Sequence, residues 1–194
     1  VLSALALRPP SDTLDVSRPD VLGSASEANW ARDLSGAVRS ASTIILDDAD
    51  ALALHAGRPA ARGPIAMLSV TGRTAATELA TVLASFAVEA EIERVAPHAI
   101  LTELERSDVL KHLSARGCRL DARRVAALLC APALESLDAA GNDAAADATI
   151  DLGACLRNPR LRRVDLSGNG FDDGQRVRLA AAFGCAPGRV LLLS

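Results

Sequence analysis

From Leu161 onward, apolar and polar positions follow a pattern that returns elsewhere in the chain. In LRRVDLSGNGFDDGQRVRLAAAFG (161–184), Leu161, Val164 and Leu166 alternate with polar residues. Asn169 and Phe171 close that comb, and a polar turn leads into an apolar run containing Leu179 and Phe183. One 27-residue step earlier stand Leu134, Leu137, Ala139 and Asn142, and one step later Leu191 and Leu193. A 24-residue step back from Leu134 reaches Leu110, Leu113, Ala115, Cys118 and Leu120. Farther upstream, Ile92 with Val95 fits loosely, Ile65, Leu68 and Val70 fit well, then come Ile44, Leu46 and Ala49, and finally Leu14 and Val16. The step from Val95 to Leu113 is only 18 residues, so the unit holding PHAILTELERSD is expected to be compact or irregular.

Alternating apolar residues mark short strands half buried on one side. Stripes at helical spacing follow, as in Leu79, Val82, Leu83 and Phe86, in Val125, Leu128 and Leu129, and in Leu179 with Phe183. Ser24 with Glu27 reads as a capping box before Trp30, Leu34 and Val38. Asp121 reads as the cap of the helix after Leu120, and His55 as the end of another helix. A strand-turn-helix unit of this size cannot bury its apolar side alone. Stacked copies pair their strands in parallel and cover them with helices.

The units resemble leucine-rich repeats of the ribonuclease-inhibitor-like class, with the signature L-x-x-L-x-L-x-x-N/C-x-L. The resemblance is closest over 110–194, looser over 41–100 and most divergent over 1–40. It implies an α/β solenoid or horseshoe of about six to seven repeats, with parallel strands on the concave face and helices on the convex face. Residues 41–194 would form the solenoid, and 1–40 a divergent N-terminal repeat or repeats with a helix, cut from a longer chain. In this class the side chain at the Asn169, Asn142 and Cys118 position bonds to turn backbone between neighbours. Pro19, Ala49, Arg73 and Ile100 stand at that position elsewhere and cannot bond as Asn does. The last unit resembles the closing repeat of bacterial members, which places Ser194 near a natural C-terminus.

Composition narrows the class. Hydrophobic residues make up 49% and charged residues 23%, which fits a globular rather than a disordered chain. Aromatics at 2% mean a core of Leu, Val, Ile and Ala. No apolar run reaches the roughly 18 residues of a membrane span, and VLSALALRPP lacks the basic start and cleavage site of a signal peptide. The net charge of −3 argues against a nucleic-acid surface. Cys118, Cys130, Cys155 and Cys185 show no C-x-x-C pair and read as buried thiols of a cytoplasmic protein.

Residues alternating with the buried strand positions would line the concave face. Arg94, His98, His112 and Arg116 then form a basic patch, flanked by Asp47 on one side and by Asp138 and Asp165 on the other. Such a patch suits an acidic segment of a protein partner. The plainer alternative is a solvated strand face whose charges pair internally, for instance Arg163 with Asp138 or Asp165. The patch has no Trp or Tyr to act as an anchor.

Nothing in the pattern forms a catalytic set. His98 and His112 have no third ligand at metal spacing. The pairs Asp47–Asp48 and Asp172–Asp173 read as helix caps, there is no G-x-S-x-G, and VTGRTA is no phosphate loop. The expectation is a non-catalytic protein-interaction module or scaffold without cofactor or metal. One alternative is a regulatory or adaptor domain of a larger enzyme, of ubiquitin-ligase or effector type. Less favoured is a GTPase-activating protein using Arg73 and Arg94. The final strand, with Leu191, Leu192 and Leu193, is a candidate for self-association.

Overall fold

A computed structural model describes residues 13–15, 42–47, 65–71, 84–93, 98–147, 149–184 and 187–194. Eight strands lie side by side in chain order: β1 (Thr13–Asp15), β2 (Thr43–Asp47), β3 (Ile65–Thr71), β4 (Ala87–Glu93), β5 (His112–Ser114), β6 (Ser136–Asp138), β7 (Arg163–Asp165) and β8 (Val190–Leu192). Every neighbouring pair is parallel. Four helices are placed among the described residues: α1 (His98–Arg106), α2 (Ala122–Leu129), α3 (Leu152–Leu156) and α4 (Asp173–Phe183). This is an α/β arrangement compatible with a solenoid.

One register position runs through the sheet. Leu14 pairs with Ile44, and the line continues through Leu68, Ala90, Leu113, Leu137, Val164 and Leu191. From Leu68 to Val164 these residues are at most 5% exposed. Leu110, Leu134 and Leu161, three positions before their register residues, are fully buried beneath them. Leu104, Leu128, Leu129, Leu156, Leu179 and Phe183 meet this aliphatic layer from the helices. Each fully buried Leu contributes about 1.5–3 kcal/mol of transfer free energy, which makes this comb the main cohesive element.

Local sequence sets the helices. Val125, Leu128 and Leu129 put one stripe of α2 into the core, and Asp121 caps it by accepting the Arg124 N–H at 2.8 Å. Asp172 and Gln175 form a reciprocal capping box on α4, at 2.7 and 2.9 Å. That helix stops at Gly184, whose φ of 75° a side-chain-bearing residue adopts only with strain.

The turn residues act as the resemblance implied. Asn142 donates to Ala115 O (2.9 Å) and Ala139 O (2.8 Å) and accepts from Leu120 N (2.9 Å). Asn169 donates to Ala139 O and Leu166 O, each at 2.9 Å, and accepts from Ala144 N at 3.1 Å. Cys118 reaches back to Ile92 O at 3.2 Å. Both asparagines are buried, so each replaces water at backbone groups that would otherwise lie unpaired.

The strands among the described residues number eight. One expectation needs correction. The unit read from Ile92 and Val95 is instead set by Ala87, Ala90 and Ile92, all buried, with Glu89, Glu91 and Glu93 exposed between them. Ala90 pairs with Leu68 on one side and Leu113 on the other, which replaces the short 18-residue step by steps of 22 and 23. Alanine carries too little apolar surface to stand out in a leucine comb, yet it fits beneath a strand packed this closely. The position matching Asn142 is therefore Val95, outside the described residues, and not Ile100, which is buried in α1. Pro19, Ala49 and Arg73 also lie outside them, as do Ser24, Glu27, Trp30, Leu34, Val38, His55, Leu79, Val82 and Leu83.

Candidate partner-binding face

Opposite the buried comb, the strands present side chains in rows. One row runs through Met67, Glu89, His112, Ser136, Arg163 and Val190. The next runs through Ser69, Glu91, Ser114, Asp138, Asp165 and Leu192. Adjacent strands are about 4.8 Å apart, so consecutive members of a row touch the same ligand group or one another.

Of the basic patch expected here, only His112 and Arg116 are placed on or beside this face among the described residues. His112 is exposed in the first row. Arg116, just beyond β5, lies over Asp138 and Asp165 of the second row. His98 opens helix α1 instead of standing on a strand, and Arg94 falls outside the described residues. The reason is the β4 register: Glu89, Glu91 and Glu93 occupy the positions expected for Arg94, Ala96 and His98. The alternation AVEAEIE carried this signal, with a glutamate at every second residue. Asp47 ends β2, and Asp48 is not among the described residues.

The carboxylates of β6 and β7 are engaged within the protein. Arg116 Nε lies 2.6 Å from Asp138 Oδ2, and Nη2 lies 3.8 Å from Asp165 Oδ2. The hydrogen bond to Asp138, and then its charge, hold the Arg116 guanidinium above its ordinary pKa. The remaining oxygens close turns two residues ahead. Asp138 Oδ1 accepts from Ala140 N at 3.2 Å, and Asp165 Oδ1 from Ser167 N at 3.0 Å and Ser167 Oγ at 2.5 Å. Asp165 is only 6% exposed, so its charge is held by these donors. The internal pairing thus runs through Arg116, not Arg163. Glu89 and Glu91, by contrast, have no cationic partner among the described residues.

The chain matches no protein-family model and no curated protein. Among the described residues no group of three or more His, Cys, Asp or Glu side chains is arranged to hold a metal ion. No described helix is long and apolar enough to cross a membrane.

Two further features escaped the sequence reading. Arg189 turns back under the last units and donates to Leu161 O (3.0 Å), Phe183 O (2.6 Å), Leu156 O (2.9 Å) and Asn158 O (3.4 Å). Its guanidinium also stacks 3.9 Å from the centre of the Phe183 ring. No sequence signal separates it from Arg162, its exposed counterpart in the preceding unit. The cysteines also depart from the expectation of uniform burial. Cys118 is buried, Cys155 half-buried and Cys130 exposed as the C-cap of α2, while Cys185 is outside the described residues. Burial, followed by a hydrogen bond with Cys130, pushes the Cys155 thiol up to about 12.

Proposed function

We propose that this chain is a leucine-rich-repeat solenoid serving as a non-catalytic protein-interaction module, with its partner seated on the open strand face. The carrying observation is the single register line through eight parallel strands, which delivers two unbroken rows of side chains from successive units. A surface so assembled suits an extended partner, with each strand meeting a different part of it. Glu89, Glu91 and Glu93 favour cationic groups of that partner over β3 to β5. Met67 and His112 flank them in the first row.

The test compares affinity capture by the wild-type chain with that by two double reversals. Glu89→Lys/Glu91→Lys changes the face, whereas Asp108→Lys/Asp173→Lys makes the same charge change at exposed positions off it. The reading requires partners lost from the first variant and kept by the second. Equal loss from both, or from neither, overturns recognition by the strand face.

A further inference from the structure

The loop that carries the chain from α3 to β7 holds Arg157, Arg160 and Arg162, and Arg163 opens β7 directly after it, so four arginines fall within seven residues. All four are exposed, and none has an ion-pair partner among the described residues. The corresponding loops before β5 and β6 carry no such run of cations. The one before β5 carries Asp108 and Lys111, and the one before β6 carries Glu135, which lies 3.8 Å from Lys111.

The backbone of the arginine loop is fixed at several points. Asn158 donates to Leu129 O at 3.1 Å and accepts the Arg160 N–H at 3.0 Å. Arg162 and Arg163 both donate their N–H groups to Glu135 O, at 2.7 and 3.2 Å. Helix-end chemistry does not account for these cations. Carbonyl groups around the loop, at Leu156, Asn158 and Leu161, already receive the Arg189 guanidinium. What remains is a braced rim about 20 Å long at most, bearing guanidiniums with the donor geometry that carboxylates take.

We propose that the α3–β7 rim docks an acidic segment of a protein partner, with Arg157, Arg160, Arg162 and Arg163 taking its carboxylates. The proposal rests on the binding-module reading above and adds a second contact to it. Arg163 belongs both to the rim and to the first row of the strand face. A partner basic over β4 and acidic at the rim is thereby fixed in direction as well as place. A carboxylate peptide fits better than a nucleic acid, because a long polyanion leaving the rim along the face meets Glu89 and Glu91 on a chain of net charge −3.

The experiment uses the full chain and a fluorescein-labelled dodecapeptide rich in Asp and Glu, read by anisotropy. Arg160→Glu/Arg162→Glu should weaken binding by about tenfold or more, and Arg160→Gln/Arg162→Gln by a smaller factor. Arg123→Glu/Arg178→Glu, an equal charge change at exposed helix positions, should leave it within about twofold. Equal weakening by both Glu pairs, or no binding by the wild-type chain, overturns the proposal. So does displacement of the peptide by a twelve-nucleotide RNA at lower concentration than by unlabelled peptide. Circular dichroism of each variant separates misfolding from lost contact, and the Gln pair supplies the reading if the Glu pair fails to fold. Unchanged peptide binding in Glu89→Lys/Glu91→Lys, beside lost capture there, separates the rim from the strand-face reading.

Discussion

β3–β4 and β5–β7 hold the same register line by different means. The seven-residue strands β3 and β4 keep step along their backbones from Ile65 and Ala87 to Thr71 and Glu93. Strands β5, β6 and β7 are three residues each, and their turns are stitched by Asn142, Asn169, Cys118 and Asp165. The carboxylates of β6 and β7 are therefore spent on the protein itself, whereas those of Glu89 and Glu91 have no cationic partner among the described residues. An exposed charge that stabilises nothing internally is the one available to a partner.

The largest effect should come from removing a stitch. Asn142→Ala takes the side-chain partner from the buried Leu120 N–H and from Ala115 O, while Ala139 O keeps Asn169, at a cost of about 3 kcal/mol. Urea unfolding should show a lower midpoint with an unchanged m-value. Cys118→Ala removes a weaker donor and should cost only about 1 kcal/mol. Equal losses at the two positions would show that the amide contributes nothing beyond the thiol.

Asp165→Ala should come next. It strips Ser167 N–H of its acceptor and Arg116 of one of its two carboxylates, at about 1–3 kcal/mol. Glu89→Gln/Glu91→Gln should shift stability by no more than about 0.5 kcal/mol while weakening partner capture. A loss of stability like that of Asp165→Ala would mean that the β4 carboxylates are structural too, and the contrast between the regions would collapse.

Much of this was legible in the leucine spacing, because a buried Leu recurring at a fixed step leaves few other places for its backbone. Leu68, Leu113, Leu137, Val164 and Leu191 all took their expected register positions. Around Ala87 and Ala90 that logic failed. Leaning on Val95, the larger apolar residue, placed the register residue five positions late, an odd number that exchanges the two sides of a strand. The same slip hid the strip of glutamates on β4. Pairing preferences were illegible for another reason. Arg116, just beyond β5, and Arg163 of the first row both stand near carboxylates, and only side-chain direction decides that Arg116 takes them.

The smallest effect concerns a carboxylate of a third kind, exposed yet committed to its own turn. Asp147 Oδ1 accepts from Thr149 Oγ1 at 2.5 Å and from Thr149 N–H at 2.9 Å. The hydroxyl first and the backbone N–H second hold its carboxyl below the ordinary aspartate pKa. A depressed folded-state value means that this pairing stabilises the protein above the unfolded pKa of about 3.9, and that the contribution disappears as pH falls through the lower folded value. Thr149→Val removes the hydroxyl and leaves the backbone donor. Carboxyl NMR should then show Asp147 titrating closer to 3.9, and the stability gap to wild type should close on acidification. A gap that persists once the carboxyl signal has fully titrated would assign the threonine's effect to packing or turn geometry. A gap that closes shows that exposure alone does not distinguish carboxylates bound into the protein from those, like Glu89 and Glu91, proposed to meet a partner.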